Sequence, residues 1–168
     1  MTPDKEKYYE SATQKLLSTI ESMGLDKIER TQAKNLVLLF RDSFKLPNVK
    51  YETFWNDLGL SMNNFKYDSD GFCRVSSITF LKMMKKPKDW QLMYISNLWS
   101  YGPHHYLIHK PSKQIFDMTF DQYTNVGISI PYDIGYKIDF QLSEKDNAFD
   151  FAKSVGIDLA KIINKQKD

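Results

Sequence analysis

The spacing of apolar residues in the first part of the chain predicts helices. On the first segment the apolar side chains recur every three or four residues, which is the period of a helix face. They are Tyr9, Ala12, Leu16, Ile20 and Met23. Thr2 is placed to cap this helix, Pro3 suits its first position, and Gly24 ends it.

A second helix is predicted after this glycine. Asp26 and Glu29 form a capping-box pattern, in which two side chains satisfy backbone N–H groups at a helix start. The apolar positions that follow at helical spacing are Ala33, Leu36, Val37, Phe40 and Phe44. Leu46-Pro47 stops the run, and a shorter apolar segment at 51–60 predicts a third helix.

The middle of the chain changes from helical to extended patterning. A polar loop is predicted over 61–71. The segment 73–86 mixes strand-forming and helix-forming residues, and we interpret it as a helix that ends at Pro87. After it the residues are typical of strands with turns between them. The predicted strands cover 90–99, 104–110 and 114–120, which makes an antiparallel meander.

The C-terminal part predicts one more strand and one more helix. The strand covers 136–141, and Ser143 with Asp146 opens the helix. The apolar residues of this helix are Phe149, Phe151, Ala152, Val155, Leu159 and Ile162 or Ile163. The order of helices, meander and helix is typical of an α+β domain in which helices pack on an antiparallel sheet.

Composition favours one compact domain. The 168 residues include 42% hydrophobic and 14% aromatic residues, which is enough for a single buried core. We expect residues 1–168 to form a single domain. Its parts are a helical segment at 1–60, a cysteine-bearing helix with the antiparallel sheet at 71–141, and a C-terminal helix at 143–168.

Charge and cysteine content narrow the function classes. The net charge is only +2 and the lysines are spread along the chain, so they build no basic stripe for nucleic acid. A lysine cluster near one helix end fits a solvated helix terminus better than phosphate contacts. It consists of Lys82, Lys85, Lys86 and Lys88.

The single cysteine excludes an intramolecular disulfide, and no stretch resembles a secretion signal or a membrane span. We therefore expect a cytoplasmic protein that does not enter a membrane and whose thiol stays reduced. A phage or viral origin and leaderless delivery into a host cell also fit the sequence.

The reactive residues are concentrated in two places. Cys73 is the one cysteine, and all three histidines, His104, His105 and His109, fall within six positions. An acidic segment at 117–122 follows them. A thiol, an imidazole and a carboxylate are the parts of an activated cysteine nucleophile.

Position on a helix would strengthen that chemistry. If Cys73 begins its helix, the unpaired N–H groups and the helix dipole lower the pKa of the thiol. Its own N–H would then help to bind an oxyanion. The alternative is a buried structural cysteine, a common fate of a lone cysteine.

The strand pattern separates the three histidines. In a strand, His105 and His109 share one face while His104 points to the other. A hairpin turning near 111–113 places Asp117 opposite positions 105 to 107. The sequence thus favours His105 as the base that Asp117 orients, with His104 as the second candidate. His109 is expected at an edge or on the surface.

A metal site fits this pattern poorly. His105 and His109 lie four residues apart, about 13 Å along a strand at roughly 3.3 Å per residue. His104 points away from both, and there is no second cysteine. We expect no metal and no other cofactor.

Four short segments carry the candidate chemistry in a fixed order. They are Gly71-Phe72-Cys73-Arg74, His105-Tyr106-Leu107-Ile108, Asp117-Met118-Thr119 and Gln122-Tyr123. They resemble the Gly-x-Cys-Arg motif, the His-aromatic-apolar strand, the Asp-Pro-Thr segment and the Gln-aromatic pair of the transglutaminase-like branch of the papain-like cysteine superfamily. Met118 stands in place of the proline of that family, and His104 in place of a common small residue.

The resemblance implies a papain-like core and a catalytic triad. In that triad Cys73 is the nucleophile, His105 is the general base and acid, and Asp117 fixes the tautomer of His105. The resemblance spans 71–123 and leaves His104 as the alternative base.

Several neighbours have supporting roles in this interpretation. Thr119 and Gln122 are expected to brace the site. Tyr67, Asn64 or a residue on the predicted strand from Trp90 is a candidate for the side chain that completes the oxyanion hole. Arg74 is expected on the helix surface.

Two functions follow as expectations. The first is a cysteine-dependent acyl-transfer enzyme that forms a thioester with a protein, a peptide, or a small acyl or amide substrate. The second is an inactive papain-like scaffold that binds a protein partner through aromatic side chains. The aromatic residues in question are Trp90, Trp99, Tyr101, Tyr123, Tyr132 and Tyr136.

Overall fold

The computed structural model describes residues 3–55, 68–98, 102–143 and 145–167. Its helices are α1 (Pro3–Ser22), α2 (Lys27–Phe44), α3 (Pro47–Phe54), α4 (Cys73–Met83), α5 (Asp121–Thr124), α6 (Asn147–Ser154) and α7 (Leu159–Lys167). Its strands are β1 (Trp90–Ile95), β2 (His104–His109), β3 (Gln114–Phe116) and β4 (Tyr136–Lys137). They form an antiparallel sheet in the order β3-β2-β1-β4. The predicted α+β class, with helices packed on an antiparallel sheet, is confirmed.

The N-terminal helices follow the sequence pattern closely. The apolar face predicted for α1 is buried, and the carboxylate of Asp26 accepts a hydrogen bond from the backbone N–H of Glu29 at 2.9 Å. Pro47 begins α3 because the first residue of a helix needs no N–H donor. The third helix therefore starts four residues earlier than predicted. Thr2 and residues 56–60 lie outside the described ranges.

The ambiguous segment after the polar loop is a helix, as predicted. Gly71 precedes it with a φ of 83°, a left-handed conformation that suits glycine. Phe72 is fully buried and stacks on Phe44 with ring centroids 4.4 Å apart. This packing fixes the start of α4 and therefore the position of Cys73.

Three predicted strands end several residues earlier than expected. The strand expected over 90–99 stops at Ile95. The strand expected over 114–120 stops at Phe116, because Asp117 Oδ1 accepts the backbone N–H of Thr119 at 3.2 Å and turns the chain. The strand expected over 136–141 is reduced to the two residues of β4.

The predicted C-terminal helix is two helices. Gly156 has a φ of 82°, and the N–H of Ile157 bonds the carbonyl of Ala152 at 2.8 Å. This is the usual way in which a left-handed glycine ends a helix. The chain therefore turns between α6 and α7.

The two faces of the sheet pack against different cores. Leu107 of β2 belongs to the larger cluster, which contains side chains of α1, α2, α4 and α6. Tyr106, its neighbour, belongs to a smaller cluster with Tyr123 and Ile130. His105 therefore shares the α4 face of the sheet with Leu107, while His104 shares the opposite face with Tyr106. Within the described ranges, no helix has the length and apolar character needed to cross a membrane.

Candidate active site

Cys73 is the first residue of α4 and is half-buried. The backbone N–H groups in the first turn of a helix have no acceptors within the helix, and they favour a nearby negative charge. Phe72, the preceding capping residue, supplies no side-chain hydrogen bond to them. The predicted position of the thiol at a helix start is confirmed.

Two histidines of β2 lower the pKa of this thiol. Burial raises the pKa of Cys73, but hydrogen bonding and positive charge from His104 and His105 outweigh it and lower the pKa to about 6. The thiolate is therefore the major form at neutral pH.

His104 is the histidine that the carboxylate supports. Its ring is fully buried, and its Nε2 lies 2.6 Å from Asp117 Oδ2. The other ring nitrogen, Nδ1, lies 3.3 Å from Gln122 Nε2. Burial lowers the pKa of His104, but the charge and hydrogen bond of Asp117, together with Cys73, raise it well above its ordinary value. The site thus favours a thiolate beside an imidazolium.

This arrangement corrects the predicted pairing of Asp117 with His105. Leu107 pairs with Phe116 in the hairpin, so the next position along, Asp117, comes opposite Tyr106. Residues opposite each other in an antiparallel pair share a face. Asp117 therefore lies on the face of His104, the residue first treated as the second candidate.

The other two histidines have different surroundings. His105 is 8% exposed and its ring packs 4.9 Å from that of Tyr94, on the opposite face of β2 from His104. Its Nδ1 is buried without a hydrogen-bond partner among the described residues. His109 is buried, bonds Ser112 Oγ through Nδ1 at 2.7 Å, and packs on Trp90. His109 is thus a structural residue of the hairpin, inside the protein instead of on its surface.

Asp117 is held by more than His104. Its Oδ2 also accepts the hydroxyl of Tyr132 at 2.8 Å. Burial and the negative charge of Asp117 raise the pKa of Tyr132, so the hydroxyl stays protonated and can donate. Sequence reasoning placed Tyr132 only among the partner-binding aromatics, because nothing local links it to a residue fifteen positions earlier.

The two residues expected to brace the site lie next to it. Gln122 Nε2 is 3.3 Å from His104 Nδ1 and 3.1 Å from Thr119 Oγ1. Thr119 is fully buried. Tyr67 and Asn64, two candidates for the oxyanion hole, lie outside the described ranges.

Buried Arg41 holds the acidic segment at 117–122 in place. Its guanidinium makes two hydrogen bonds to Asp121 and a third to the carbonyl of Met118 at 3.2 Å. It also lies over the ring of Tyr9. Sequence reasoning missed this residue, although a charge next to Phe40 on the apolar face of α2 was a usable signal.

Arg74, expected on the helix surface, has a specific partner. Its two terminal nitrogens bond the carboxylate of Asp146 at 2.8 and 2.7 Å. Asp146 also caps α6 through the N–H of Ala148. The residue after Cys73 therefore ties the start of α4 to the start of α6.

The structure gives little support to the surfaces considered for binding a protein partner or nucleic acid. Of the aromatic residues considered for partner binding, Trp90 and Tyr123 are buried, while Tyr136 is 50% exposed. Trp99 and Tyr101 lie outside the described ranges. Within the lysine cluster, Lys86 Nζ lies 3.6 Å from Asp26 Oδ2.

In the part of the chain that the structure describes, no group of three or more His, Cys, Asp or Glu side chains is placed to hold a metal ion. Comparison with known proteins gives no match to a protein family, to a curated protein or to a solved structure. A function is therefore inferred from the arrangement of Cys73, His104 and Asp117.

Proposed function

We propose that this protein is a cysteine-dependent acyl-transfer enzyme with His104 as its base. One observation carries the proposal: Nε2 of His104 lies 2.6 Å from a carboxylate oxygen of Asp117, and hydrogen bonding and charge from the same imidazole lower the pKa of Cys73. A nucleophile, a base and a group that orients the base are the three parts such an enzyme needs.

The proposed reaction uses each part in turn. Nδ1 of His104 takes the thiol proton, and the Cys73 thiolate attacks an amide or ester carbonyl. As the carbon–nitrogen or carbon–oxygen bond breaks, the imidazolium returns that proton to the leaving amine or alcohol. Water or an amine then attacks the thioester, His104 again accepts a proton, and the carbon–sulfur bond breaks to release the Cys73 thiolate. Asp117 keeps the proton of Nε2 in place throughout, so that Nδ1 faces the sulfur.

A papain-like core of the transglutaminase-like type is part of this proposal. Its support is the order of the parts: the nucleophile at a helix start, the base at the first residue of β2, and the acid directly after β3. The resemblance of 71–123 to that family points the same way. Within it, the role first given to His105 passes to His104.

The substrate is proposed only as a chemical class. It is a carbonyl compound with an amine or alcohol leaving group, carried by a protein, by a peptide or by a small acyl donor. Hydrolysis, deamidation and transfer to an amine differ only in the second nucleophile, so they share the same first step.

The competing proposal is a scaffold that binds a protein without chemistry. Its support is a pair of aromatic residues one helical turn apart near the end of α3, Tyr51 and Trp55, which are 64% and 59% exposed. This surface does not involve Cys73. Partner binding that is equal in the wild type and in Cys73→Ala, with no covalent change in the partner, would favour the scaffold.

Acylation of the intact protein tests the enzyme proposal directly. We expect p-nitrophenyl acetate to transfer one acetyl group to wild-type protein, as seen by intact mass and mapped to Cys73. Cys73→Ala should take up none, and His104→Ala should react far more slowly. A wild-type protein that reacts with iodoacetamide but is not acylated would overturn the proposal, because its thiol would be accessible and yet unable to perform acyl transfer.

A further inference from the structure

Three rings form a row across the strands at one end of the sheet. Tyr94 of β1 pairs with His105 of β2 on one side and with Tyr136 of β4 on the other. Residues paired across antiparallel strands share a face of the sheet. The ring centroid of Tyr94 lies 4.9 Å from that of His105 and 5.6 Å from that of Tyr136. We call these three residues the aromatic row.

Solvent exposure rises along the aromatic row towards the edge of the sheet. His105 is 8% exposed, Tyr94 is half-buried, and Tyr136 is 50% exposed. Ile138 and Phe140, which follow Tyr136 along the chain, pack against the larger core. Tyr136 therefore presents aromatic surface that the fold itself does not bury.

The direction of α4 places the aromatic row at the Cys73 end of this helix. α4 packs along β1 and β2, and the ring of Phe80 lies 5.0 Å from that of Trp90, the first residue of β1. Cys73 comes before Phe80 by about 10 Å of helix. Tyr94 comes after Trp90 by about 13 Å of strand. The thiol and the aromatic row therefore lie towards the same end of the sheet.

The two faces of β2 separate the two parts of a substrate. His104 lies on the face opposite the aromatic row, where its Nε2 is 2.6 Å from Asp117 Oδ2. In the proposed reaction His104 gives its proton to the leaving amine or alcohol, so the leaving group lies on the His104 side of the thiol. The acyl group is attached to the other side of the carbonyl carbon. It is therefore directed towards the aromatic row.

We propose that the aromatic row binds the acyl group of the substrate and selects acyl groups that end in an aromatic ring. Aromatic side chains bind a flat apolar group through the area that is buried and through ring contacts. The chemical step is unchanged: the sulfur–carbon bond forms, the bond to the leaving group breaks, and the proton of His104 departs with that group. This inference rests on the proposed acyl-transfer function and names the class of acyl donor.

The test uses esters with a small leaving group that is not aromatic, so that only the acyl group can supply a ring. The trifluoroethyl esters of propanoic acid and hydrocinnamic acid differ by one phenyl group. Release of trifluoroethanol is followed by fluorine NMR at ester concentrations well below saturation. We expect wild-type protein to react about 10-fold to 100-fold faster with the hydrocinnamate, the factor that corresponds to burying a ring of this size.

Three tyrosine variants test whether the aromatic row causes this preference. Tyr136→Ala should lower the preference by about 3-fold to 10-fold, which is the contribution of one aromatic pair. Tyr136→Phe keeps the ring and should keep the preference. Tyr8→Ala is the matched control, because Tyr8 is 45% exposed on α1, and it should also keep the preference. Tyr136 is half exposed, so its removal leaves no cavity in the core.

The possible results separate the two proposals. Equal reaction of both esters with wild-type protein, or a preference that Tyr136→Ala leaves unchanged, would overturn the role of the aromatic row. An equal loss with both esters in Tyr136→Ala would also overturn it, because the ring would then act on a part that the esters share. In each of these cases, release of trifluoroethanol that is lost in Cys73→Ala still supports the enzyme. Absence of any reaction that depends on Cys73 would overturn both proposals at once.

Discussion

Arg41 and Asp121 form an ion pair that is almost wholly excluded from solvent. Nη1 of Arg41 lies 2.7 Å from Asp121 Oδ1 and Nη2 lies 2.9 Å from Oδ2, while the two side chains are 1% and 0% exposed. Because Arg41 also bonds the carbonyl of Met118, the pair links α2 to the residues directly after Asp117. The orientation of the candidate acid therefore depends on a contact far from it in sequence.

Removing one partner of this ion pair should strongly destabilise the folded protein. Arg41→Met leaves the Asp121 carboxylate buried without its partner, and we expect a loss of about 3–5 kcal/mol in the free energy of unfolding, measured by urea denaturation. The double variant Arg41→Met/Asp121→Leu should lose less than Arg41→Met alone, since no charge is then stranded. Lys34→Met, which breaks an exposed pair with Glu21, is the control and should barely move the unfolding midpoint. A double variant less stable than either single one would contradict the ion-pair explanation.

The ionisation of Cys73 should be visible as a pH profile of its alkylation. The pKa of the thiol is lowered to about 6, so thiolate is present above that pH and is lost as the pH falls through it. In the wild type the rate with iodoacetamide should reach half its plateau near pH 6. In Asp117→Asn the imidazolium of His104 loses its negative partner, and the midpoint should move upward toward about 8.5, the value of an ordinary thiol. A wild-type midpoint already near that value would show that Cys73 and His104 do not form a thiolate–imidazolium pair.

The sequence predicts the helices and the hairpin well, because both depend on local periodicity. The predicted position of Asp117 opposite 105 to 107 includes its true opposite, Tyr106. Positions 105 to 107 nevertheless include residues on both faces of the strand. A shift of one residue in the pairing therefore moves Asp117 from one face to the other. The choice between His104 and His105 was therefore beyond the precision of the pattern.

Contacts made across long stretches of chain were beyond the sequence altogether. The hydroxyl of Tyr132 bonds Asp117 from a loop. The path of that loop is set by its packing and not by a periodic pattern in the sequence. The break at Gly156 was different, since a glycine within an apolar helical pattern is a local signal of a helix end. Local patterns thus gave the elements, whereas the supports of the site depended on how those elements pack.

Removing the hydroxyl of Tyr132 should distinguish two effects of its hydrogen bond. One is stabilisation of the negative charge of Asp117, and the other is orientation of the carboxylate towards His104. Tyr132→Phe deletes one donor to the carboxylate, and we expect about 1.5–3 kcal/mol less stability, as for hydrogen bonds to charged groups. With its charge less neutralised, Asp117 should hold the His104 imidazolium more strongly, so the alkylation midpoint of Cys73 should stay or move down. Tyr106→Phe, which loses a bond to the carbonyl of Tyr132, is the control and should leave the midpoint unchanged. An upward shift in Tyr132→Phe would show that the hydroxyl mainly orients the carboxylate.

A close approach of backbone and ring sets the position of the loop that carries Tyr132. A Cβ atom at Gly135 would lie 2.0 Å from the hydroxyl oxygen of Tyr106 and 2.9 Å from Cζ, and Tyr106 is fully buried. We expect Gly135→Ala to cost about 1–3 kcal/mol of stability by overpacking, measured by urea denaturation. In a Tyr106→Phe background the nearest atom is gone, so the same glycine substitution should cost less. Equal costs of Gly135→Ala in both backgrounds would show that the two residues do not constrain each other, and that the loop is held by its own hydrogen bonds.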